Sequence, residues 1–197
     1  MGKIVYLMGK SSTGKDTIFK ALCQQNQEQL KTIIPYTTRP IRDGEQDGVE
    51  YYFTDEDGFQ KLKQQGKIVE DRGYHTYYGL WRYFTVDDGQ IDLQKHNYIM
   101  IGTLESYRQM CQYYGKDAFV PVLIQVDDGI RLQRALDRER QQENPRYEEM
   151  CRRFLADSED FAADKIEQAG ITGNFVNDKL EECLKEIQTY IETETGI

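Results

Sequence analysis

The chain has 197 residues, 39% hydrophobic and 30% charged, with a formal net charge of −9 and a pI near 4.9. That length suits one core carrying a smaller lobe and is short for two independent domains. Lys and Arg occur in runs no longer than two, so the dense basic footprint that nucleic acid or an anionic membrane requires is missing, and an anionic small molecule must be gripped by a few placed cations.

In chain order, residues 3–8 read as a short buried strand that stops at Gly9. This apolar stretch is too short for a signal peptide or a membrane span, and Tyr6 breaks the myristoylation pattern of a Met-Gly start. From Asp16 to about Leu30 the pattern turns helical, with Ile18, Phe19, Leu22 and Cys23 on one face. Residues 35–88 are rich in Tyr, Gly and Asp, with strand candidates at 51–53 and 68–70. Trp81, Arg82, Tyr83 and Phe84 form an aromatic cluster, read as a packed satellite core. Apolar runs return at 98–101 and 119–126, as strands buried on both faces. A helix follows each, over 104–114 and from Asp127–Asp128 onward. The final helix carries Leu180, Cys183, Leu184, Ile187 and Ile191 at helical spacing, with Asn177 or Asp178 as its cap. This alternation predicts a three-layer α/β protein with a central parallel sheet.

Gly9-Lys10-Ser11-Ser12-Thr13-Gly14-Lys15-Asp16-Thr17 joins the first strand to the first helix, the context a GxxxxGK[ST] phosphate loop needs. Its glycines let backbone N–H groups turn toward phosphates, the helix N-terminus adds positive potential, and Lys15 supplies a mobile charge. Asp16 stands where the motif has Ser or Thr. Its carboxylate is a candidate Mg²⁺ ligand, because Mg²⁺ favours oxygen donors, with Thr17 as the hydroxyl alternative. The expected co-substrate is ATP with Mg²⁺.

The stretch from Thr37 to Phe53, TTRPIRDGEQDGVEYYF, places Arg39 and Arg42 three residues apart among hydroxyls and tyrosines. Guanidinium groups can fork two N–H donors onto a phosphate monoester, and Tyr can add a neutral hydrogen bond. The segment resembles the acceptor-binding motif of the guanylate kinase family, TTRxxRxGExxGxxYxF, and lies at that family's usual distance from the phosphate loop. The resemblance extends weakly over nearly the whole chain. It implies a P-loop kinase core at about 1–34 and 95–197, an acceptor-binding mixed α/β insert at about 35–88 and a helical lid at about 138–150. Arg39, Arg42, Tyr51 and Tyr78 match the clamp on the GMP phosphate, and Glu70 the carboxylate that accepts from guanine N1 and N2. Downstream, Arg131, Arg134 and Arg138 share one helix face. Arg140, Arg146, Arg152 and Arg153 follow, and Arg138 and Arg153 match the family's lid-region arginines. Lys15, Arg42, Arg138 and Arg153 are thus the expected catalytic cations, stabilising charge on the transferring phosphoryl group.

Departures gather at base recognition. Leu80 stands where the family has Ser or Thr, Pro35 where it has Ser, and Ile101 and Thr103 align with its acidic pair, leaving Thr103 as a candidate substrate contact. Two other readings draw on such departures: a kinase for another phosphorylated acceptor such as ribose 1,5-bisphosphate, and a non-catalytic guanylate-kinase-like binding module. Cys23, Cys111, Cys151 and Cys183 form no CxxC pair, and with His75 and His96 as the two histidines there is little to build a zinc site. They read as free thiols of a cytoplasmic protein. The expected partners are small nucleotides, with neither nucleic acid nor membrane, in a monomer or homodimer serving purine nucleotide metabolism.

Overall fold

The N-terminal apolar run forms strand β1 (Ile4–Met8), whose five residues are all fully buried. A strand covered on both faces has no polar side to present, which is why its sequence does not alternate. The computed structural model describes residues 1–76 and 79–197. After β1 comes helix α1 (Lys15–Gln25). The helical pattern reaches Leu30, but the helix stops at Gln25. Asn26 turns its side-chain amide onto the Leu22 carbonyl (2.9 Å) and Gln188 (2.8 Å). Leu30 instead opens edge strand β2 (Leu30–Thr32) and is its one buried residue.

The insert contains β3 (Tyr36–Thr37), β4 (Tyr52–Phe53), helix α2 (Glu56–Gln64), β5 (Ile68–Thr76) and β6 (Gly79–Val86). Asp55 caps α2 by accepting from the Gly58 N–H at 2.8 Å; acidic residues fill its first turn and lysines its last, favourable at both ends of the dipole. The aromatic cluster at 81–84 lies within β6. Phe84 alone of it is fully buried, packed with Phe59 and Val86, while its three companions are half-buried.

The core resumes with β7 (Asn97–Ile101), α3 (Leu104–Tyr114), β8 (Phe119–Gln125), α4 (Asp128–Arg140), α5 (Tyr147–Asp160), α6 (Ala163–Ala169), β9 (Gly173–Val176) and α7 (Leu180–Thr195). Asp127 caps α4, accepting from the Gly129 and Ile130 N–H groups. Asp88 accepts from Gln90 N in a turn, so both Asp-Asp-Gly stretches serve local structure. The cap of α7 is Lys179, with no side-chain capping bond; neither Asn177 nor Asp178 fills that place.

Five strands make a parallel sheet in the order β2-β7-β1-β8-β9. Ile4, Tyr6 and Met8 face a core closed by Leu104, Tyr107 and Met110 of α3, with Phe161 and Ala169. Val5 and Leu7 face the opposite core, closed by Ile18 and Leu22 of α1 and by Cys183, Ile187 and Ile191 of α7. Helices therefore cover both faces. The order also switches at β1, since β2 and β7 lie on one side of it and the later strands β8 and β9 on the other, and ligand crevices of open α/β sheets form at the carboxyl ends of such strands. A second sheet, β4-β3-β6-β5, is mixed, with β3 and β4 parallel and the other pairs antiparallel. Its strand β5 packs against α3.

Candidate functional site

At the carboxyl end of β1 the chain wraps into a loop whose shape is fixed from outside. Ser12 takes φ 64°, the one non-glycine residue with positive φ among those described, and Gly14 takes φ 85° as the N-cap of α1. A Cβ at Gly9 would run into the Ile124 carbonyl, and one at Gly14 would lie 2.5 Å from Asn177 Nδ2. Three loop carbonyls are turned away from the concavity and held. Thr13 Oγ1 donates to Lys10 O (2.9 Å), Arg131 Nη1 to Ser11 O (2.8 Å) and Asn177 Nδ2 to Thr13 O (2.8 Å). Peptide planes fixed this way, with the unpaired N–H groups of the first turn of α1, present donors to an anion. The Ser12 hydroxyl and Asn177 Oδ1 are buried beside the loop without a hydrogen-bond partner.

Arg131 is 1% exposed. Besides Ser11 it reaches Asp128 (2.9 Å) and Asp157 (3.3 Å) and lies over the Phe154 ring at 4.6 Å. Asp157 in turn accepts from Ser11 N at 2.7 Å. Arg131 was legible only as one of three arginines on a helix face; its buried structural task sets it apart from Arg138, which is exposed. Asn177 and Asp157 were not legible as loop braces at all, because they meet the loop only through the fold. Lys15 is half-buried; Asp16 and Thr17 are exposed at the start of α1, the Asp16 carboxylate being the acidic group of its first turn.

On the insert, Arg39 is 3% exposed, and Glu45 takes it in a bidentate pair at 2.7 and 2.6 Å. Its guanidinium lies 5.0 Å from the Tyr51 ring centroid and 5.4 Å from that of Phe53. Arg39 and burial oppose each other at Glu45, and the Arg39 hydrogen bonds prevail, holding the carboxyl below its usual range. Glu45 also accepts from Arg42 N (2.9 Å), while the Arg42 side chain is exposed. Burial and neighbouring Tyr83 push the Tyr51 hydroxyl up, so it remains a neutral donor. Tyr78 lies outside the described residues.

Glu70 and Arg72 occupy one face of β5, two residues apart as strand alternation requires. The Glu70 side chain has no exposure. Arg72 donates to it through Nε (3.0 Å) and Nη2 (3.4 Å), and Thr85 Oγ1 at 2.9 Å. Arg72 Nη1 then reaches Thr103 Oγ1 at 3.3 Å. Thr103 is also the N-cap of α3, accepting from Ser106 N at 3.2 Å. Burial acts to lower the Arg72 pKa, but Glu70, Tyr6 and Tyr74 outweigh it and hold the guanidinium above its usual value. Burial pushes Glu70 up against the pull of Arg72 and Thr85; with a charged guanidinium at 3.0 Å the two form an ion pair. From here a file of rings, Tyr74 to Tyr83 (5.7 Å) and Tyr83 to Tyr51 (5.7 Å), leads to Arg39. Arg72, Thr85 and Glu45 as partners of the expected site residues were missed in the sequence. Spacing two residues from Glu70 was the available signal for Arg72.

The remaining arginines stand apart. Arg152 and Arg153 are exposed and both held by Glu149, at 2.7 and 2.8 Å. Arg134 Nη2 donates to Asn177 O at 3.3 Å. Among the described residues no group of three or more His, Cys, Asp or Glu side chains could cage a metal ion, and no helix is long and apolar enough to cross a membrane.

A family model described as guanylate kinase matches residues 1–194. The guanylate kinase of Mycoplasma genitalium is 39% identical over 77 residues, covering 39% of this chain and 32% of that protein. That of Enterococcus faecalis is 37% identical over 79 residues, covering 40% and 39% respectively. The matched stretch thus spans between 32% and 39% of these relatives' own length. The crystal structure of guanylate kinase from Anaplasma phagocytophilum superposes with a TM-score of 0.67 over 98% of this chain and 86% of that one; at 18% identity this likeness shows the fold.

Proposed function

The chain belongs to the guanylate kinase family, and on that premise we propose that it transfers the γ-phosphoryl group of ATP to the phosphate of a nucleoside monophosphate, GMP, yielding ADP and GDP. The observation that carries this is the braced loop at the carboxyl end of β1, present in one chain with the paired Arg39–Glu45–Tyr51 cluster of the insert. The first is built for a polyphosphate, the second for a phosphate monoester. The names of its relatives favour this reading over ribose 1,5-bisphosphate phosphorylation or a non-catalytic module.

In this reading residues 1–197 form one domain: the core spans about 1–34 and 95–197, the acceptor-binding insert about 35–88 and the lid about 138–150. Gly9, Ser11, Ser12, Thr13 and Gly14 shape the donor loop, and Lys15 follows charge onto the transferring group. Two Arg39 groups, Nε–H and one Nη2–H, have no acceptor among the described residues, which supports assigning this guanidinium to the acceptor phosphate; the family motif adds Arg42, Tyr51 and Tyr78. Arg138 and Arg153 neutralise phosphoryl charge when the lid closes. For Arg153 that requires release from Glu149. The site fits Mg²⁺ held by phosphates and one or two protein oxygens, since Asp16 and Thr17 are exposed at the loop's mouth and no protein cage competes among the described residues. Bound there, Mg²⁺ would offset charge between Asp16 and the phosphates. Transfer is in line and needs no covalent intermediate, so positioning and water exclusion are the protein's work.

The test is ADP release with Mg·ATP against GMP, dGMP, AMP, CMP, UMP and ribose 1,5-bisphosphate, each with and without EDTA. Metal-dependent turnover of GMP and dGMP is expected. Turnover of ribose 1,5-bisphosphate alone, or of no acceptor, overturns the proposal.

A further inference from the structure

Glu70 is the residue expected to read the base, yet nothing can reach it without displacing Arg72. Its side chain has no exposure, Oε2 is taken by Arg72 Nε, and Oε1 by Thr85 and Arg72 Nη2. Of the pair, only the Arg72 side chain keeps any exposure, 11%, and its guanidinium is flanked by the hydroxyls of Thr103 and Tyr74. The corner is continuous with the proposed acceptor site through Tyr74, Tyr83 and Tyr51. Its chemistry is inverted from a carboxylate pocket: it donates hydrogen bonds where a carboxylate accepts them.

We propose that Arg72 is the specificity-determining residue of the acceptor pocket, reading the O6 and N7 acceptors of a 6-oxopurine nucleotide, with Glu70 and Thr103 as positioning residues that hold its guanidinium. A guanidinium pairs in two-pronged fashion with O6 and N7, whereas adenine puts an amino donor in place of O6. The 2-amino group of guanine, which a free carboxylate would read, has no dedicated partner. The site therefore selects for the 6-oxo group and is indifferent to position 2, so that the nucleotides of guanine, hypoxanthine and xanthine are one substrate class. This deepens the proposed function and rests on its assignment of a nucleotide acceptor.

The experiment compares GMP, IMP, XMP and AMP on the full chain, by calorimetric binding and by kcat/KM for ADP release, in wild type, Arg72→Met and Glu70→Gln. IMP and XMP are expected within about 10-fold of GMP, and AMP about 10- to 100-fold poorer, the discrimination one bidentate arginine contact supplies. R72M should erase most of the preference over AMP, while E70Q should leave the GMP:IMP ratio unchanged. A wild-type preference for GMP over IMP above about 100-fold, abolished in E70Q, would mean that the carboxylate reads the 2-amino group; the inference then fails and the proposed function stands. No binding and no turnover of any of the four overturns both. Should R72M not fold, the wild-type ratios and E70Q still decide.

Discussion

In the proposed assignment, the donor loop and the acceptor face solve anion recognition in opposite ways. Around the loop, the groups that would meet phosphate are mainly backbone N–H, and side chains work from behind: Arg131 and Asn177 each hold a loop carbonyl, and Asp157 holds an N–H. On the acceptor face the side chains themselves would meet the ligand, and its two buried arginines are already paired, Arg39 with Glu45 and Arg72 with Glu70. A backbone site is stiffened by steric need, and losing a neutral brace strands no charge. A side-chain site gains preorganisation from its pairs, but each partner becomes as consequential as the arginine it holds, because removing it strands a buried charge.

The largest effect should come where the donor side depends on a side chain after all. Lys15→Ala removes the cation at the start of α1, and kcat is expected to fall about 1000-fold, as when a preorganised charge-stabilising group is lost. Folding should be nearly unchanged because Lys15 is half-buried at a helix start. A Lys15→Ala enzyme within 10-fold of wild type would show that the braced backbone alone does the stabilising.

On the acceptor face the cost should appear in stability as well. Glu45→Ala leaves Arg39, 3% exposed, without its carboxylate. Truncating one partner of a buried pair costs about 3–5 kcal/mol, measurable by urea denaturation, with a raised acceptor KM. The same pair gives a pH dependence. Glu45 is held below its ordinary 4.5 by Arg39, so its contribution is complete above 4.5 and is lost as pH falls through the lower folded value. Acceptor KM should therefore rise on acidification before ATP KM does. A change under 1 kcal/mol in Glu45→Ala, or parallel acid profiles for the two substrates, would erase the distinction between the two regions.

How much of this was legible in the sequence follows the same division. The strand-loop-helix frame of the donor site is local, so Gly9, Gly14 and Lys15 could be read from spacing alone. The parallel core was equally readable because doubly covered strands are short apolar runs. Helix α1 was read too long because Leu30 falls in step with the helical period, although it begins an edge strand. Asn177 resembled a helix cap because cap chemistry and loop bracing use the same amide; only the sheet, by setting β9 beside β8, brings it to Thr13. Arg131 looked like its exposed neighbours because burial of one arginine leaves no mark in a charged helix. On the acceptor face, the side chains were readable from motif spacing but their pairing was not, since Arg72–Thr103 and Glu70–Thr85 depend on tertiary contact and strand register.

Between the two extremes stands Asn177, a neutral brace. Asn177→Ala removes the bond to Thr13 O without stranding a charge, so a loss of about 1–2 kcal/mol is expected. ATP KM should rise several-fold while acceptor KM holds. Equal movement of both would mean that the loop and the acceptor face are coupled rather than independent solutions.

The smallest effect is expected at a pair that belongs to neither region. Glu149 holds Arg152 and Arg153 on the surface of α5, and those two hydrogen-bonded guanidinium groups, with Arg152 first, pull its carboxyl down to about 2. The shift is large, yet the Glu149 side chain is 38% exposed and the arginines 63% and 56%, so solvent screens most of the energy it would represent in a buried site. Because the folded value is depressed, the contribution is complete above the ordinary 4.5 and disappears as pH falls toward 2. Glu149→Gln should thus cost about 0.5 kcal/mol at pH 7 and low salt, and nothing near pH 2 or in molar salt. Denaturation of wild type and variant under these conditions measures the difference. A loss as large as that of Glu45→Ala would mean that pairing rather than burial sets the energetic weight of an arginine–carboxylate contact, and the contrast between buried and exposed pairs would collapse.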